Sequence, residues 1–233
     1  MYMASMQFHI ENGRTGKPEG VDRIPGSILP ERRGIAMALL VSLVLLILSS
    51  FPADCKSQTL NYKVVRNGSE IGWMKLEKTC EGNYCKMFLN SDIKFRILIQ
   101  LTAYVFESAY FLNGKLVYSS QYHKSNGKVN VNKQTRFTGN GYEVIEDNES
   151  AKLNIGSDVS FNLLSLYFRE PVSLTKVYCD KQQCYAAIEK TTDGGYRIRF
   201  PNGNSNCFYY SKGICTKVKI EHTFYSAEII LNP

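Results

Sequence analysis

Glycine-bearing turn pairs cut the chain after Thr59 into short runs, and this punctuation constrains the fold more than any other feature. Asn67-Gly68, Asn113-Gly114 and Asn126-Gly127 each supply two neighbours that tolerate a left-handed backbone, as a two-residue hairpin loop requires. Glu81-Gly82-Asn83, Gly139-Asn140-Gly141, Asp193-Gly194-Gly195, Pro201-Asn202-Gly203 and Lys212-Gly213 mark further reversals. The runs between them alternate: Leu60, Tyr62 and Val64 share one face, and Ile71, Trp73, Lys75 and Glu77 form the return run. Gly72 marks a bulge or a close backbone approach. A parallel crossover needs a dozen or more residues, and these links are far shorter, so the pattern predicts an antiparallel meander.

Further strands are expected at Lys115–Tyr122, Val129–Phe137, Tyr142–Glu146, Val172–Cys179, Cys184–Lys190, Tyr196–Phe200 and Cys207–Tyr210. Phe95–Leu112 is the most apolar run; its β-branched and aromatic residues predict one long strand or two joined by a bend. Ile214–Leu231 alternates well enough to predict a single long last strand. One segment departs from this period. Ser157–Arg169 opens on Ser157 or Asp158, places Phe161, Leu164, Leu166 and Phe168 on an apolar face, and stops at Glu170-Pro171, which predicts a helix of about three turns. The expected fold is mainly β: a strongly curved antiparallel sheet, either a half-barrel or a closed barrel, clasping one short helix.

Ahead of this domain lies Ile35–Phe51, 17 residues without a charge, preceded by Arg32 and Arg33. A helix through it would rise about 25 Å, the short limit for crossing a bilayer core. Residues 1–34 carry glycines, prolines and charges without an apolar period and are expected to be a disordered leader. The segment 35–57 reads as a signal peptide or a signal anchor, and residues 58–233 as one exported β domain. The core Met37–Leu48 and the small residues behind it favour a cleaved signal over an anchor. Acylation of Cys55 is disfavoured by Asp54 before it. An uncleaved segment would tie the protein to the membrane, with the domain outside the cytoplasm. Each reading places the domain in the periplasm, outside the cell, or at the outer side of the membrane.

Six cysteines fall in three close pairs, Cys80/Cys85, Cys179/Cys184 and Cys207/Cys215. Behind an export segment, an even count at short spacing predicts three disulfides. Zinc is disfavoured, because no histidine lies beside the pairs and structural zinc sites space their cysteines more tightly. The formal net charge of +7 is spread along the strands without a basic run, which argues against nucleic-acid binding.

Catalytic raw material is scarce. His123 and His222 sit in ordinary strand surroundings, and no nucleophile elbow or phosphate loop occurs. No catalytic, metal or cofactor site is therefore assigned. Glu143, Glu146, Asp147 and Glu149 lack the regular spacing of a calcium loop and read as a solvated turn.

Three motifs carry a family resemblance: Tyr62-x-Val64-x-x-x-Gly68-x-x-x-Gly72, Leu166-Tyr167-Phe168-x-Glu170-Pro171, and Pro201-Asn202-Gly203-x-x-Asn206 followed by Tyr209, Tyr210 and Gly213. From Tyr62 onward the chain resembles a family of exported bacterial proteins known only as a domain of unknown function. The resemblance implies export and an antiparallel β domain, and it carries no activity.

The expected function is that of a non-catalytic cell-envelope protein that binds an apolar or lipid-like ligand in its curved sheet. The 15 tyrosines and 12 phenylalanines motivate that expectation. The candidate ligand-binding residues are Trp73, Tyr167, Phe168, Arg169 and Glu170, although a helix stop is the preferred reading of the last four and core packing that of Trp73. Two alternatives remain: a structural or protein-interaction module of the envelope, and an enzyme in which Glu170, His123 or His222 converges with another titratable group.

Overall fold

The structure, a computed structural model, describes residues 55–96, 100–222 and 225–232. The expected leader, and the signal or anchor segment up to residue 54, lie outside these residues. Among the described residues no helix is long and apolar enough to cross a membrane.

Fourteen strands form one sheet: β1 (Cys55–Arg66), β2 (Ser69–Glu81), β3 (Tyr84–Arg96), β4 (Gln100–Leu112), β5 (Lys115–Ser125), β6 (Lys128–Phe137), β7 (Tyr142–Glu146), β8 (Glu149–Leu153), β9 (Lys176–Cys179), β10 (Cys184–Lys190), β11 (Tyr196–Arg199), β12 (Ser205–Ser211), β13 (Ile214–Glu221) and β14 (Ser226–Leu231). Their spatial order is β8 down to β1, then β14 down to β9, so β1 lies at the centre of the sheet. Every ladder is antiparallel, and every neighbour but one is the next strand in sequence. The exception joins the first strand to the last, with Tyr62 opposite Leu231 and Val64 opposite Ile229.

The turns form as their side chains dictate. Asn67 and Gly68 both have positive φ, 49° and 77°, so the loop twists with its strands and pins the β1–β2 register. At Gly72 a Cβ would meet the carbonyl oxygen of Asp92 at 2.2 Å, so no side chain fits there. The β1–β2 register shifts beside it, between Val64 and Val65.

Several expectations need correction. The run Ile214–Leu231 is two strands, because His222 and Tyr225 exchange backbone hydrogen bonds and reverse the chain. The acidic cluster contains the tight turn Asp147-Asn148, both residues at positive φ, and so hides the hairpin from β7 to β8. The Phe95–Leu112 run is shared between β3 and β4. The helix α1 spans only Ser165–Phe168. Upstream of it the backbone is committed elsewhere: Phe161 and Leu163 bond Tyr178 of β9, and Val159 bonds Leu116 of β5. Asn162, not Ser157 or Asp158, supplies the polar side chain at the start, its Oδ1 accepting from the Ser165 backbone N–H at 3.2 Å.

A helix of four residues does not hold itself together. Burial does so here, since Leu166, Tyr167 and Phe168 are all in the core, each worth about 1.5–3 kcal/mol when fully buried. Tyr167 meets Tyr62 of β1 and Phe208 of β12 edge-on, both at 5.6 Å between ring centroids. Tyrosine hydroxyls staple this layer to backbone carbonyls: Tyr62 donates to Cys215 at 2.7 Å, Tyr210 to Leu166 at 2.8 Å and Tyr142 to Leu116 at 2.7 Å.

The two ends of the sheet approach each other across this inner face. Tyr178 of β9 lies beside Thr135 of β6, and Asp180, just past β9, lies beside Ser119 of β5. No ladder joins β8 to β9, so the sheet is open and the closed-barrel alternative is excluded.

Candidate functional site

The inner face is apolar at both ends and polar between them. At the end carrying the β2–β3 and β4–β5 turns, α1 shares one core with Leu76, Met87 and Phe111, and a cavity of about 190 Å³ lies between Met87, Phe111, Phe161, Ser165 and Arg169. At the opposite end, where β1, β3, β5 and β13 finish, there is a cavity of about 230 Å³. Val64, Ile71, Ile93, Leu101, Ala103 and Ile220 give it an apolar wall. Arg66 and Tyr225 complete it, with the Arg66 guanidinium 4.9 Å above the Phe95 ring and the Phe95 and Tyr225 rings 6.5 Å apart.

Between the two ends the inner positions of β4 and β5 turn polar. Glu107 stands opposite Gln121, and Val105 opposite His123. His123 Nε2 pairs with Glu107 Oε1 at 2.7 Å. On β6, Lys133 bridges to Glu146 at 3.0 Å. Asp180 is 5% exposed and accepts one hydrogen bond, from Asn162 Nδ2 at 3.0 Å. Burial pushes its carboxyl up to about 7, Glu107 adding to the rise while Ser119 and Asn162 favour the ionised form. Asp180 Oδ1 with Ser119 Oγ, and Tyr178 OH with Thr135 Oγ1, are neighbours that fall short of good hydrogen-bond geometry, and Gln121 Oε1 makes no hydrogen bond with a protein group. Among the described residues no three His, Cys, Asp or Glu side chains are placed to hold a metal ion.

The candidate residues do not form one site. Trp73 projects from the outer face of β2 and is 45% exposed, whereas Tyr167 and Phe168 are buried on the inner face. Arg169 stacks over Phe161 at 5.5 Å. Glu170 accepts from Tyr196 OH at 2.9 Å and donates its backbone N–H to the Gly213 carbonyl at 3.1 Å. These partners make the Tyr167–Glu170 box an anchor of α1. His222 lies in the β13–β14 turn against Tyr225, its pKa lowered by burial and by Lys181.

The cysteines also depart from expectation. Cys80 and Cys85 form a disulfide. Cys207 and Cys215 are free thiols on opposite faces of the β12–β13 hairpin, so no bond can join them. Cys215 belongs to the inner core, whereas Cys207 neighbours the inward Phe208 and therefore points outward, toward Gly195. Cys179 and Cys184 face each other in register at the end of the β9–β10 hairpin, but both thiols are free. Cys179 Sγ donates to Gln182 Oε1 in the intervening turn, and burial pushes its thiol up to about 12.

Sequence reading overlooked Arg66, Glu107, Asn162 and Asp180. Arg66 carried one local signal, a cation next to the Asn67-Gly68 turn at the end of an apolar strand. The other three come together only through register and through the passage of residues 159–180 across the inner face.

No curated protein and no solved structure matches the chain. A family model described as a domain of unknown function, DUF6134, matches residues 62–232. That span takes in the hairpin motif, the α1 box and the last strand, and the chain belongs to the DUF6134 family.

Proposed function

We propose that this is an exported, non-catalytic protein of the cell envelope that holds a small apolar or lipid-like ligand at the open end of its inner face. The observation that carries the reading is the cavity beside Ala103, apolar in its wall and unfilled by any described segment. Its volume falls just below the 300–1,000 Å³ usual for ligand pockets, which suits a short acyl chain or a single ring. The curvature expected of the sheet supports it as well, since the concave side of a bent sheet is where a small apolar space is sheltered from water.

The enzyme reading has one observation in its favour, the His123–Glu107 pair with Asp180 nearby. A catalytic group must reach its substrate, and none of these three residues lines the cavity. The binding reading is therefore preferred. Native mass spectrometry of the full chain, recovered from its host, tests it. A co-purified small molecule should be present on the wild type and absent from Ala103→Phe, which fills the cavity. A wild type that carries nothing and gains no mass on incubation with octan-1-ol would end the reading.

A further inference from the structure

We infer that the cavity selects a medium-chain monocarboxylate, an octanoate-like amphiphile whose anionic head pairs with Arg66. This deepens the apolar-ligand reading and rests on it. Arg66 is the last residue of β1 and contributes to the cavity wall. It forms no ion pair with any described carboxylate. A guanidinium beside an apolar space is costly unless something offsets its charge. The ring of Phe95 at 4.9 Å meets part of that requirement. The remaining N–H groups stay available to a carboxylate, which guanidinium binds in a two-pronged geometry that ammonium cannot match.

The other polar groups at the cavity leave this role to Arg66. Asn126 Oδ1 is occupied by the backbone N–H of Thr102 at 2.9 Å. Thr102 and Ser125 are neutral, so Arg66 is the one charged side chain in the cavity wall. Chain length follows from volume. At about 230 Å³ the cavity is smaller than most ligand pockets, so an amphiphile with a short chain, such as octanoate, matches its scale.

Calorimetric titration of the full chain with octanoate, octan-1-ol and octyltrimethylammonium separates the deeper inference from the reading beneath it. Octanoate should bind about tenfold tighter than octan-1-ol, and the cation weakest of the three. Arg66→Gln should bring octanoate down about tenfold, to the affinity of octan-1-ol for the same variant, and Arg66→Lys should restore part of the preference. Matched thermal melts would show that the variants fold. Equal affinity for octanoate and octan-1-ol, or a preference that survives Arg66→Gln, overturns the role of Arg66 but leaves the cavity reading intact. Failure of all three to bind overturns both.

Discussion

The two ends of the inner face use the same strands and finish differently. At one end the chain returns as α1, and Leu166, Tyr167 and Phe168 fill the space over the sheet. At the other end no described segment returns, and an apolar cavity remains beside Val64, Ala103 and Ile220. Protein interiors are normally packed to the density of organic crystals. The two ends differ in what covers them: the connection between β8 and β9 crosses the inner face at the α1 end, where a cavity of about 190 Å³ also remains, and no described segment crosses at the other. Packing is the work of the α1 end, and the proposed binding role falls to the open one.

Four measurements can break or sharpen that contrast. The largest effect should come from Phe168→Ala at the filled end. Loss of a buried ring there costs about 3–5 kcal/mol, read as the shift in urea unfolding. A cost below about 1 kcal/mol would return the Tyr167–Glu170 box to the status of a recognition rim.

Asp180 comes next, between the two ends. Its carboxyl is raised to about 7 in the folded protein, against an ordinary value of about 3.9. Between those values the folded state keeps a proton that the unfolded chain has released. The stability this proton confers is complete below about pH 4 and is lost as pH rises through 7. Unfolding free energy should fall on the order of 4 kcal/mol over that window. Asp180→Asn should flatten this decline, and an unchanged slope would show that another group is responsible.

Third is the disulfide beside the filled end. In the chain-entropy account, Cys80→Ser with Cys85→Ser should cost about 2 kcal/mol for so short a loop. The pair Cys179→Ser with Cys184→Ser should lose the same stability on reduction as the wild type does, because those two thiols are free and only the Cys80–Cys85 bond is broken.

The smallest effect should be that of Ala103→Phe at the open end. Adding a ring to a well-packed interior costs about 1–3 kcal/mol, but here it enters existing space and should cost under about 1 kcal/mol. A large loss of stability would mean that this end is packed after all, and the contrast would collapse.

Much of the sheet could be read from local chemistry. Asn-Gly pairs state a hairpin within four residues, and alternation groups Leu60, Tyr62 and Val64 on one face, which is the inward one. The β13–β14 reversal was not, because His222 and Tyr225 turn the chain without the usual glycine or proline signal. The length of α1 was not legible either. The apolar spacing of Phe161, Leu164 and Phe168 fits a helix, but backbone bonds to β5 and β9 hold the first part of the segment extended. The candidate site was the least legible part. Arg66, Ala103 and Ile220 lie on three strands far apart in sequence, and only the pairing of β1 with β14 assembles them.

That same pairing sets the order of folding. Tyr62 must find Leu231 before the central strand has both its neighbours, a contact of very long range in a fold otherwise built from hairpins. Such closures are slow, because the entropy of the intervening loop is lost before the contact repays it. Until β14 is in place, Tyr62–Val65 of β1 lack their second neighbour and form an edge able to pair with another copy of the chain. A newly made molecule is thus most prone to aggregation just before its last strand docks, and a chain truncated ahead of Ser226 would remain in that state.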